Sequence, residues 1–118
     1  MDNEHAILAF SALAQPTRLE AFRILVHAGP DGLAAGDLAR KLGVPQNTLS
    51  AHLGILARSG LVRSERQSRQ IFYRPQLDQV RSLTVFLLKN CCGGRPELCE
   101  PLVADLESHR RKKVAGCG

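Results

Sequence analysis

Apolar side chains recur at intervals of three and four through most of the first ninety positions, with one interruption where the period shortens to two. Ile7, Phe10, Leu13 and Ala14, with Ala6 filling in, predict a helix over Asn3 to Ala14. Gln15-Pro16 interrupts it. Pro16 suits the first turn of a second helix, where its missing N–H has no intrahelical partner. That helix runs through Leu19, Phe22, Ile24, Leu25 and Val26 and stops at Gly29-Pro30, with an apolar face broad enough for central packing and with Arg18 and Arg23 on its polar surface.

After an Asp31-Gly32 turn, Leu38, Ala39 and Leu42 predict a short helix over Ala35 to Leu42, closed by Gly43. The next helix opens at Pro45, carries Leu49, Leu53, Ile55 and Leu56, and ends at Ser59 before Gly60. Val44 offers it no side-chain acceptor, so its N-terminus is weakly capped. Two helices joined by a short glycine-containing turn form a helix-turn-helix. The period then changes. Leu61 to Glu65 and Gln70 to Arg74 are strand-like, with Arg66-Gln67-Ser68-Arg69 as a polar link. A hairpin with a basic tip directly after a helix-turn-helix makes a winged helix, mainly α with a small β-hairpin.

Pro75 ends the second strand, and a long helix is expected from about Gln76 to Asn90. Leu77, Val80, Leu83, Thr84, Leu87 and Leu88 give it a wide apolar stripe, more than a small core served by four helices needs. Together with the first helix it predicts a partner surface, and a C2 homodimer through the first and last long helices is the simplest closure. Leu102, Val103 and Leu106 mark one more amphipathic segment before a basic end at Arg110 to Lys113. The expected organisation is a DNA-binding and dimerisation domain over 1–90 and a cysteine-containing segment with a tail over 91–118.

Composition narrows the partners. The 118 residues carry 16 Lys and Arg against 11 Asp and Glu, a net charge of +5, which favours a polyanion. No apolar run approaches the ~18 residues of a membrane span. Met1-Asp2-Asn3-Glu4 lacks the basic and apolar regions of a signal peptide, so a cytoplasmic protein with reduced thiols is expected.

Two stretches carry candidate chemistry. Gln46, Asn47, Thr48, Ser50 and His52 crowd the start of the second helix of the helix-turn-helix, where such folds read bases; the alternative is a solvated helix face. Arg66 and Arg69 in the wing would meet phosphate or an adjacent minor groove. Cys91, Cys92 and Cys99 put three of the four cysteines within nine residues. As thiolates they are soft donors for thiophilic ions, or a redox pair. Gly93-Gly94 breaks the helix there, and Pro96 stiffens the return to Cys99. An enzyme is not expected, since there is no Cys-x-x-Cys at a helix start, no phosphate-binding loop and no Cys/His/Asp set.

The runs Leu13-Ala14-Gln15-Pro16-Thr17-Arg18-Leu19, Leu38-Ala39-Arg40-Lys41-Leu42-Gly43-Val44, Ser50-Ala51-His52-Leu53-Gly54-Ile55-Leu56 and Ser59-Gly60-Leu61-Val62 together resemble the ArsR family of metalloregulatory repressors, over roughly Ala6 to Leu88. The resemblance implies a homodimeric winged-helix repressor of double-stranded operator DNA, with Gln46, Asn47, Thr48, Ser50 and His52 on the recognition helix and Arg66 and Arg69 on the wing. Two inducer sites of the family are not matched: Ala35 to Leu42 contains no cysteine, and no histidine lies between Arg74 and Asn90. The cluster Cys91, Cys92 and Cys99 is similar to that of the subgroup responding to trivalent arsenic, often antimony as well. Three thiolates suit the pyramidal shell of trivalent arsenic, whereas structural zinc wants a fourth ligand. Cys117 is expected to be a spectator, with a fourth donor favouring zinc or cadmium as its other role. No organic cofactor is expected. A thiol-based redox repressor is the alternative.

Overall fold

The computed structural model describes residues 1–91, 100–102 and 104–108, with the backbone alone for 89–91. It divides into two compact units, Met1–Leu83 and Thr84–Gly118. In order come α1 (Asn3–Leu13), α2 (Pro16–Ala28), β1 (Leu33–Ala34), α3 (Ala35–Leu42), α4 (Gln46–Arg58), β2 (Val62–Gln67), β3 (Gln70–Pro75) and α5 (Leu77–Cys91).

The core of the first unit is built mainly of leucine. Leu25, Leu38, Leu49, Leu53, Leu56 and Leu61 are fully buried, one from α2, one from α3, three from α4 and one at the entry to β2. Leu49, Leu53 and Leu56 repeat at intervals of four and three, so one stripe of α4 is locked inside and the opposite stripe is left to solvent. α3 ends at Gly43, which is left-handed (φ 71°, ψ 31°) and donates its N–H to the Ala39 carbonyl at 2.8 Å. Val44 and Pro45 then turn the chain into α4.

The helix-turn-helix is thus as expected, and so is the wing, with three differences. The sheet has three strands in the order β1-β3-β2, all antiparallel. β1 is two residues long, too short to show a period, and it pairs Leu33 with Tyr73 and Ala34 with Phe72. The hairpin link is shorter than Arg66 to Arg69. Arg66 and Gln67 belong to β2, opposite Ile71 and Gln70, which leaves a two-residue turn at Ser68-Arg69. Ser68 there has φ 57°, the positive value that the first central residue of a tight hairpin turn needs. Finally, Pro75 is paired with Val62 rather than lying beyond the strand.

In α1 the expected stripe is split, with Ala6 buried and Leu13 half-buried but Ile7, Phe10 and Ala14 exposed. Ala6, Ala9 and Ala12 are the buried residues, while Ile7 is 64% and Phe10 42% exposed. Small side chains let the helix backbone approach its neighbours closely, so the alanines take the inner face and the large residues are left out. On α5, Leu83 is buried, whereas Leu77, Val85 and Leu87 are exposed. In the second unit, residues 100–102 and 104–108 are helical, with Leu102 and Leu106 exposed. Among the described residues no helix is long and apolar enough to cross a membrane.

Candidate nucleic-acid interface

The exposed stripe of α4 follows from its buried one. Gln46, Asn47, Thr48 and Ser50 all face solvent in its first turn and a half. Pro45 at the N-cap gives no side-chain hydrogen bond, as Val44-Pro45 suggested, and no acidic residue sits in the first turn. Asn47 compensates in part, its Oδ1 accepting the Thr48 N–H at 3.0 Å. The helix therefore presents an only partly compensated positive end together with a set of side-chain donors and acceptors.

The wing lies against this end. A cleft of about 280 Å³ is lined by Gln46 and Ser50 of α4, by Arg69, Gln70 and Ile71 of the wing, and by Gly36, Asp37 and Arg40 of α3. Gly36 and Gln46 face each other there, and a Cβ on Gly36 would meet Gln46 Oε1 at 3.6 Å, an ordinary packing distance. Arg40 is ion-paired with Asp37 across one turn of α3. Arg66, in the body of β2, is exposed. Farther along the wing, Arg74 Nη2 and Glu65 Oε2 pair at 2.9 Å across the two strands.

Of the expected DNA contacts, the structure brings Gln46, Ser50 and Arg69 to one cleft, with Asn47 and Thr48 exposed beside them on the same helix. His52 is set apart. It is half-buried, and its Nδ1 lies 3.3 Å from Nη1 of Arg18 on α2. Arg18 was expected on a polar surface. Instead it is half-buried, and its Nε donates to the Ala12 carbonyl at 2.6 Å. Its spacing reads as outside, but a long aliphatic stem allows an arginine to lie partly inside. Arg40 and Gln70 carry no sequence signal as cleft residues either, since other polar residues of the same elements, Lys41 in α3 and Arg74 in β3, do not line the cleft.

Cys91 closes α5, whereas Cys92, Cys99 and Cys117 lie outside the described residues. Among the described residues no group of three His, Cys, Asp or Glu side chains is placed to hold a metal ion.

Comparison with known proteins agrees with the geometry. A sequence model described as a helix-turn-helix domain matches residues 13–65, from the end of α1 into β2. A biofilm growth-associated repressor of Agrobacterium fabrum is 36% identical over 95 residues, covering 80% of this chain and 78% of its own. A protein of the same description from Xylella fastidiosa is 40% identical over 72 residues, which span 61% of this chain and 60% of that one. The crystal structure of an ArsR family transcriptional regulator shares the fold, with a TM-score of 0.65 at 23% identity over 76% of this chain and 90% of that chain.

Proposed function

Because this chain belongs to the ArsR-type helix-turn-helix transcriptional regulators, we propose that it is a cytoplasmic repressor that binds operator DNA as a homodimer and releases it when trivalent arsenic bridges Cys91, Cys92 and Cys99. The observation that carries the DNA half is the shared cleft of Gln46, Ser50 and Arg69 at the open end of α4. Gln46 and Asn47 can each pair bidentately with adenine, and Ser50 and Thr48 can meet bases or phosphate. Arg66 and Arg69 add charge beside them. The partly compensated N-terminus of α4 would attract a phosphate in the same direction.

The dimer reading is supported by the outward apolar residues Ile7, Leu8 and Phe10 of α1 and Val85 and Leu87 of α5. A monomer would leave them in water. A twofold pair of α4 helices would have to stand one DNA turn apart, about 34 Å, to enter successive major grooves.

The inducer half rests on the donor set. Cys91, Cys92 and Cys99 offer three soft thiolates and, with Cys117 apart, no fourth, which fits a pyramidal trivalent ion such as arsenic or antimony better than tetrahedral zinc. Because the thiols must lose protons to bind, loading is expected to release protons. Drawing the three sulfurs together at the end of α5 would reshape the terminus of a dimer helix and so the spacing of the two readers. Coupling of this kind is typically worth about 1–3 kcal/mol per site, and two sites per dimer approach the ~5 kcal/mol of a nearly complete switch.

The test uses reduced protein and a duplex enriched on it from a random pool, followed by fluorescence anisotropy. Arsenite is expected to lower the anisotropy under reducing conditions. Release by peroxide but not by arsenite would move the reading to a thiol redox switch.

A further inference from the structure

Arg18 ties three helices together. From the first turn of α2 its Nε reaches back to the Ala12 carbonyl at 2.6 Å, and its Nη1 reaches across to Nδ1 of His52 on α4 at 3.3 Å. The first contact has a local cause. Ala12 carries one of the last carbonyls of α1, which lack intrahelical donors. α1 has no basic residue in its last turn, and Ala14 rather than glycine follows it, so Arg18 supplies the missing donor.

The second contact has a chemical consequence. A guanidinium only donates and stays protonated in proteins, so Nδ1 of His52 must be the acceptor. A neutral imidazole that accepts at Nδ1 carries its proton on Nε2. We infer that Arg18 is a positioning residue for DNA recognition: it fixes His52 as the Nε2–H tautomer, so that this side chain meets DNA as a neutral hydrogen-bond donor. The partner it fits is an acceptor, either a phosphate oxygen or an acceptor at a base edge such as guanine N7 or O6. The exocyclic amino group of cytosine, a donor, does not suit it. This inference rests on α4 being the reader and on His52 touching DNA.

The experiment takes the ¹⁵N-labelled full chain and reads imidazole nitrogens in long-range proton–nitrogen spectra, with His5, His27 and His109 as internal references. His52 is expected as the Nε2–H tautomer. In Arg18→Lys, whose single ammonium can cap Ala12 but cannot also hold His52, a tautomer mixture is expected. Arg18→Gln serves as a second variant, and circular dichroism checks that both fold. With a duplex selected on the wild type, Arg18→Lys should weaken binding roughly two- to tenfold. In a His52→Gln background, where an amide donates regardless of tautomer, Arg18→Lys should change little. A loss confined to the selected duplex identifies a base acceptor, and an equal loss on random duplex identifies phosphate; both support the inference. An unchanged tautomer in Arg18→Lys and Arg18→Gln, or the same loss in both backgrounds, overturns it while leaving the reader helix intact. Wild-type affinity in His52→Ala overturns the contact itself, and the inference with it, whatever the tautomer in the free protein.

Discussion

Gly32 lies so close to Tyr73 that a Cβ on the glycine would stand 2.1 Å from the Tyr73 carbonyl oxygen. The contact is where β1 joins the wing, since the next residue, Leu33, is the registered partner of Tyr73. Gly43, in the helix-turn-helix turn, has nearly the same φ (71° against 72°) but open space around it. The two positions separate backbone strain from steric exclusion. Gly43→Ala is expected to cost about 1 kcal/mol and Gly32→Ala about 2–4 kcal/mol in denaturant unfolding. Equal losses would mean that the strand junction yields at no cost.

Asp2 caps α1. Its Oδ1 accepts the His5 N–H at 2.8 Å and meets His5 Nδ1 at 2.7 Å. The backbone hydrogen bond first, then the side-chain one, holds the carboxyl below the usual carboxylate range. A pKa depressed on folding stabilises the folded state above the unfolded value, about 3.9, and the gain is lost as pH falls through the folded one. Thermal melts of wild type and Asp2→Asn should therefore differ near neutrality and converge below about pH 4. A constant gap at all pH would contradict a contribution from the charge of the Asp2 carboxylate.

Phe10 tests the twofold assembly. It is exposed on α1 beside Ile7, so Phe10→Glu should leave the fold intact yet yield monomers in sedimentation velocity. Loss of the second reader should weaken operator binding by about a hundredfold or more. A dimeric Phe10→Glu would move the interface off this face.

Much of this was legible in the chain, for a physical reason in each case. Leu49, Leu53 and Leu56 repeat over a long enough run to fix the buried side of α4, and thereby the side left to solvent. Gly43 and Gly60 marked its neighbours' turns because each stands at positive φ. β1 was not legible: Leu33-Ala34 is a strand only because β3 lies beside it. Nor was the orientation of α1, where hydrophobicity ranks Ile7 and Phe10 above the alanines, yet close packing inside one protomer selects Ala6, Ala9 and Ala12. The link from Arg18 to His52 spans 34 positions and leaves no mark in local spacing. The cysteine cluster is the reverse case: its chemistry is read from residue type alone, and Cys92 and Cys99 lie outside the described residues.

Arg66 and Arg69 differ in setting, one in the body of β2 and one in the turn that lines the cleft. Each phosphate contact releases counterions, so each Arg→Ala variant should reduce the slope of log affinity against log salt by about 1. Wild-type slopes in both variants would remove the wing from the interface.

If three sulfurs control the grip of α4 on DNA, Cys99→Ser should uncouple that grip from arsenite. The measurement is arsenite titration of the reduced protein on its selected duplex, read by anisotropy beside the wild type. Equal duplex affinity before titration, release of the wild type, and a Cys99→Ser protein that stays bound are expected. Release of Cys99→Ser at the same arsenite concentration, or a wild type that stays bound throughout, would contradict control by the three sulfurs.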